Sequence, residues 1–330
     1  MVKKIFNKTV KIVLPMILGA LILYMIYSDF DFAALSGPLK EMNLWWFALS
    51  TFFGIMSHVI RGWRWNLAIE PLGYKPSRRV SVYAVYIAYA ANLVVPRVGE
   101  VSRCVVLEQY EKVPFAQSLG TIVTERAIDT LMVVIMTVVA VLLQWQVFLR
   151  FLTDAGFGTG GSDFFSSAGG WAIVLLSVVA VAVLLYLVVR KMSLWNKIKV
   201  FVSSFAEGLM SLKKVKHMWL FVLETVGIWF CYFMQFYLCF FYFGFCSDLT
   251  LLAGLLLFVA GSIAVVVPTP NGMGPWHFAV ISIMVLYGVS STDAEVFALI
   301  VHSTQTLLVA VLGIYAWIML QIRQYIKKRD

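Results

Sequence analysis

Arginines and carboxylates recur at helical spacing in an otherwise apolar chain. Pro96 is followed by Arg97, Glu100 and Arg103, three residues apart, and a second group holds Glu125, Arg126 and Asp129. Residues three and four apart meet on a helix surface. Guanidinium groups bind phosphate through paired N–H donors, so this set suits an anion site. It also suits an ion-pair lattice, because three acids can match three arginines. We read a mixture, with some pairs structural and at least one arginine left for a ligand. Arg61 and Arg64 alternate with Trp63 and Trp65, the composition of an interfacial anchor. Arg61 lies deeper and is placed to face a headgroup.

A second polar stretch has different chemistry. Pro268, Pro270, Asn271, Gly272 and Gly274 interrupt an apolar run, and Pro275, Trp276 and His277 follow. Proline fits the first turn of a helix, whose free N–H groups favour an anion or a polar headgroup. Asn271, Gly272, Gly274 and His277 are therefore candidate binding residues. A plain turn between two spans is the alternative, and the prolines and glycines at membrane depth favour a site.

Other chemistry is poorly represented. The four histidines form no H-x-x-x-H or H-E-x-x-H pair, so no metal is indicated. His58, and His302 near Gln305, read as hydrogen-bonded packing groups. The chain has no G-x-x-x-x-G-K-[ST] loop and no G-x-S-x-G elbow. No cofactor and no nucleic-acid partner is expected. Cys104, Cys231, Cys239 and Cys246 form no C-x-x-C pair and read as packing residues.

Helices within a bilayer must carry these groups. Of the 330 residues, 61% are hydrophobic and 13% charged; soluble domains are about half apolar and about a quarter charged. The expected fold is an all-α polytopic membrane protein. Six apolar segments are long enough to span, at 10–27, 44–60, 127–148, 171–189, 219–243 and 296–320,. Two more, 80–118 and 251–288, are interrupted, the first at Pro96 and the second at 267–275. Pro96 should end one helix near Val95 and sit in the first turn of the next, putting Arg97, Glu100 and Arg103 on one face.

The basic residues set the expected topology. If 80–118 is a re-entrant hairpin, all of the 26 Lys and Arg residues except Lys40 and Arg150 fall on one side. That asymmetry makes both termini cytoplasmic. Each half, 1–150 and 171–330, then has two spans, a broken hairpin and a third span, the second half inverted. Paired broken segments in two halves point to a transporter's midplane site. The Gly-rich 150–170 reads as an external loop, and 194–212 as an amphipathic helix on the inner leaflet. The segment after the first span has no small-x-small cleavage site, so that span is expected to be retained.

Four stretches together resemble one known family. They are Arg61-Gly62-Trp63-Arg64-Trp65, Asn92 to Arg103, Glu125-Arg126 with Asp129, and Pro270-Asn271-Gly272-Met273-Gly274. In this order they are similar to the membrane domain of the lysylphosphatidylglycerol synthase/flippase-like family, over nearly the whole chain. The resemblance implies movement of a lipid between leaflets of a bacterial inner membrane. For fused relatives the resemblance implies aminoacylated phosphatidylglycerol as the moved lipid, with a cytosolic aminoacyl-transfer domain following. This chain ends at Asp330, so synthase activity is not expected. It also has Asn271 where the family commonly has a glycine, and His277 where an acid often stands.

The function expected is translocation of a lipid with a phosphate-containing headgroup. The partner would be a phospholipid or polyisoprenyl-type lipid, with a homo-oligomer or an envelope enzyme as compatible protein partners. The alternative is a membrane-embedded enzyme or accessory subunit acting on lipid-linked sugar or phosphate, with Glu100, Glu125 or Asp129 as acid or base.

Overall fold

The computed structural model describes residues 2–145 and 215–329. The expected span at 171–189, the loop 150–170 and the amphipathic segment 194–212 lie outside them. Every regular element among the described residues is helical. We number the α-helices α1 (Val2–Tyr27), α2 (Ser36–Glu41), α3 (Leu44–Ile69), α4 (Arg78–Val94) and α5 (Gly99–Glu111). They continue as α6 (Phe115–Leu143), α7 (Met218–Tyr237), α8 (Leu251–Ala264), α9 (Pro275–Leu286) and α10 (Ser291–Arg329).

Local chemistry sets several of these ends. Asn43 caps α3, its Oδ1 accepting from the amides of Trp45 and Trp46, and the Thr250 hydroxyl caps α8 by accepting from Ala253 N. Each satisfies donors that a helix start leaves free. Val95 is extended (φ −131°, ψ 116°), as a residue before proline must be, and α4 stops there,.

Among the described residues, three helices are long and apolar enough to cross a membrane: Phe115–Leu143, Met218–Tyr242 and Ser291–Ile326. A fourth span results if Met16–Tyr27 and Phe32–Glu41, bent by 89°, count as one. Their apolar side chains point outward. Val134, Ile135 and Val138 on α6 are exposed, as are Val311, Ile314 and Trp317 on α10. Lipid is the solvent such faces need.

Two expected spans begin or end elsewhere. The span expected at 127–148 is part of a helix that starts at Phe115, and that expected at 44–60 runs on to Ile69. Hydropathy stops where charges begin, whereas the helices continue through them, because those charges are paired inside the protein.

Helix α4 is central, packed against α3, α5 and α10. Small residues allow the close approach. A Cβ on Gly62 would strike the Val82 backbone, one on Gly99 the Ala88 carbonyl, and one on Gly313 the Ala90 side chain. Helix α3 lies along α7, and α8 packs on both α6 and α9. One apolar core gathers Phe236, Phe240, Phe297 and Trp276; another surrounds Trp65, Ile69, Cys104 and Leu107. All four cysteines are buried thiols.

Both interrupted segments are helix–turn–helix units, α4–α5 and α8–α9. Contrary to expectation, Pro96 does not open the second helix of its pair. Helix α5 begins at Gly99, and Arg97 sits in the turn with φ 64°. Arg97 therefore does not share a helical face with Glu100 and Arg103. The other turn also holds a non-glycine left-handed residue, Asn271 at φ 50°.

Candidate functional site

Four helices bring an arginine–carboxylate lattice together. Helix α3 supplies Arg61 and Arg64, α5 supplies Glu100 and Arg103, α6 supplies Glu125, Arg126 and Asp129, and α7 adds Thr225 and Tyr232. Arg61 Nη1 donates to Asp129 Oδ2 at 2.7 Å, and Arg64 Nη2 to Asp129 Oδ1 at 3.0 Å. Arg64 also reaches Glu125 Oε1 at 3.4 Å and Thr225 Oγ1 at 3.1 Å. Arg103 Nη2 lies 2.6 Å from Glu125 Oε2, and its guanidinium stacks over Trp65, 4.6 Å from the ring centroid. Trp65 is held in turn by donating to Thr121 Oγ1 at 2.8 Å.

This arrangement corrects the reading of Arg61 and Arg64 as interfacial anchors. They are 2% and 0% exposed, among the most enclosed side chains in the protein. Removing a charge from water costs several kcal/mol per ion, so buried arginines require carboxylates at close range. Glu125 is ten residues beyond Phe115, about 15 Å along α6.

The lattice has an accessible edge. Arg126 Nε pairs with Glu100 Oε1 at 3.4 Å, and its Nη1 lies 3.9 Å from Asp129 Oδ2, yet its side chain is 48% exposed. Four arginines therefore meet three carboxylates, leaving one formal positive charge over. A small cavity opens beside it, with room for about one water molecule, walled by Tyr89, Asn92, Glu100, Arg103 and Arg126. Glu100 Oε2 is buried there without a hydrogen bond. Asn92 Oδ1 accepts from Gly99 N at 2.7 Å and ties the two sides of the first break together.

Tyrosines extend the lattice. Tyr232 accepts from Arg61 Nε at 3.2 Å and lies 2.7 Å, hydroxyl to hydroxyl, from Tyr89. His58 packs on Tyr89, ring centroids 4.3 Å apart, and its buried Nδ1 has no partner.

The second break meets the first. Arg97 Nη2 donates to the Val266 carbonyl at 3.3 Å, and α4 packs on the 270–272 turn. Much of the polar capacity of this turn is used internally. Asn271 Nδ2 donates to Thr306 Oγ1 at 2.9 Å, and the Asn271 carbonyl lies 3.1 Å from His302 Nε2. Gly274 N–H points to His277 Nδ1 at 3.4 Å. Gly272 and Gly274 both have positive φ, 73° and 90°, and a Cβ on Gly274 would meet Ile22 and the Gly19 carbonyl of α1. His277 is 2% exposed, its ring 4.5 Å from that of His302.

The structure thus divides the eleven candidates. Arg61, Glu100, Arg103, Glu125, Arg126 and Asp129 form one cluster. Asn271, Gly272, Gly274 and His277 form a second, and Arg97 bridges the two breaks. Arg64, Tyr89, Asn92, Thr225 and Tyr232 belong to the first cluster but were not candidates. For Arg64 the signal was available, because it lies three residues after Arg61 on one helix. Tyr232 carried none, being one aromatic among many.

Residues 12–313 match the family described as lysylphosphatidylglycerol synthase TM region. The chain belongs to that family. The lysylphosphatidylglycerol synthase TM region family places the protein in the membrane and associates it with phospholipid handling. No curated protein and no solved structure gave a match.

Proposed function

We propose that the protein translocates a lipid with a phosphate-containing headgroup between leaflets. One observation carries this reading: a buried lattice with one uncompensated positive charge, whose accessible arginine, Arg126, borders a cavity at the first of two facing helix breaks. A headgroup phosphate would take the excess charge through Arg126, while Arg61, Arg64 and Arg103, fixed by carboxylates, maintain the positive field. The Asn271–Gly274 turn, tied to the first break through the Arg97–Val266 bond, would close the site from the other break. Acyl chains would remain in the bilayer, so only the headgroup needs a polar path.

The repeat reading belongs to the same proposal. Both breaks follow a Val-Val-Pro sequence and both turn through a left-handed non-glycine residue, Arg97 or Asn271. On this reading the halves 1–150 and 171–330 are inverted copies with six full spans, and both termini face the cytoplasm of a bacterial inner membrane.

The test is transport in liposomes. Purified protein is reconstituted with a headgroup-labelled phospholipid and leaflet exchange is followed. Arg126→Ala should slow exchange at least tenfold in a protein that elutes and unfolds like the wild type. Unchanged exchange would remove the site, and conversion of the lipid to a new product would indicate an embedded enzyme.

A further inference from the structure

Away from the lattice, the ends of α4 and α10 enclose a groove of about 510 Å³. That volume is within the range of small-molecule sites. Ser77, Arg79 and Tyr83 form the α4 side. The α10 side is Arg323 with Met319, Ile322 and Ile326. Each side contributes one arginine, and the α10 side adds three apolar side chains.

The polar groups of the groove have unused capacity. Arg79 is exposed and makes no ion pair among the described residues. Arg323 pairs with Glu111 at 2.8 Å through Nη1 but remains 42% exposed. Ser77 occupies the N-cap position of α4 without using its side chain to cap it. Lys327, Lys328 and Arg329 follow directly in the chain. The apolar wall is open: Ile322 and Ile326 are 46% and 54% exposed. Tyr83 packs edge-on against Tyr315 and stiffens the floor.

We propose that this groove binds an anionic phospholipid as a resident molecule, separate from any lipid that is moved. Its phosphodiester would lie between Arg79 and Arg323, and one acyl chain along Met319, Ile322 and Ile326. A free phosphate would use only the two arginines and leave the apolar side chains bare. Basic pockets between helices at the positive side of a membrane protein recognise lipid headgroups in this way. Arg79 is thirteen residues from Asn92 on the same helix, about 20 Å from the lattice cavity. The proposal does not depend on the transport reading.

Photoreactive phosphatidylglycerol, added to the full-length protein in nanodiscs, provides the test. Crosslinks should map to 77–83 and 319–326, and unlabelled phosphatidylglycerol should compete at least tenfold better than phosphatidylcholine. Inorganic phosphate should not compete. Arg79→Gln should cut labelling at least fivefold, and so should Ile326→Asp on the lipid-facing wall, whereas Arg126→Ala should leave it unchanged. Equal competition by phosphatidylcholine would reduce the groove to ordinary annular contact. Competition by inorganic phosphate alone would make it a phosphate site. Full labelling of either groove variant would also overturn the proposal.

Discussion

At the scale of single residues, the lattice separates enclosed groups that hold the protein together from one half-exposed arginine, Arg126, which we propose meets the ligand. Glu125 receives Arg64 and Arg103 and is wholly buried. Glu125→Gln would leave two buried guanidinium groups short of a charge, and breaking a buried pair in this way costs about 3–5 kcal/mol. Thermal unfolding in detergent should show a clear loss of stability. Arg126→Ala removes a half-exposed side chain, so its effect should fall on transport while unfolding barely moves. The residue types were legible in the sequence, but their pairing was not. Arg61 and Asp129 are 68 positions apart, and helical spacing speaks only for neighbours within a turn or two. Spacing therefore placed Arg97 with Glu100 and Arg103, when its guanidinium crosses to Val266, 169 positions away.

At the scale of elements, the two turns carry the main information. Left-handed backbone costs a side-chain-bearing residue about 1–2 kcal/mol, and Arg97 bears it in the turn between α4 and α5. Arg97→Gly should therefore be more stable than Arg97→Ala by about 1 kcal/mol in denaturant unfolding, both lacking the bond to Val266. Equal stabilities would mean that the turn relaxes once the guanidinium is gone. Gly99 makes a second prediction. A side chain there meets the Ala88 carbonyl, so Gly99→Val should separate α5 from α4 and impair both folding yield and transport. The breaks themselves were legible, because proline excludes the α conformation from the residue before it. Helix ends near charge were not. Hydropathy cut α3 and α6 at their arginines and acids, whereas partners on neighbouring helices let both continue.

At the scale of the whole molecule, the apolar composition and the clustering of basic residues were enough to expect helices in a membrane. They could not show that α4 would stand at the centre, because that position depends on Gly62, Gly99 and Gly313 meeting it at close range. The proposed topology puts the turn after α5 on the cytoplasmic side. A cysteine at Glu111 should then react only with reagent supplied from the cytoplasm, and one at Ser166 only from outside, against a background of four buried native thiols. External labelling at Glu111 would overturn the re-entrant arrangement. The central claim is that a headgroup phosphate engages the accessible edge of the arginine lattice. The most direct measurement is leaflet exchange of a headgroup-labelled phospholipid in liposomes, wild type beside Arg126→Ala. Exchange by the stably folded variant should fall tenfold or more. Exchange at the wild-type rate would contradict the claim.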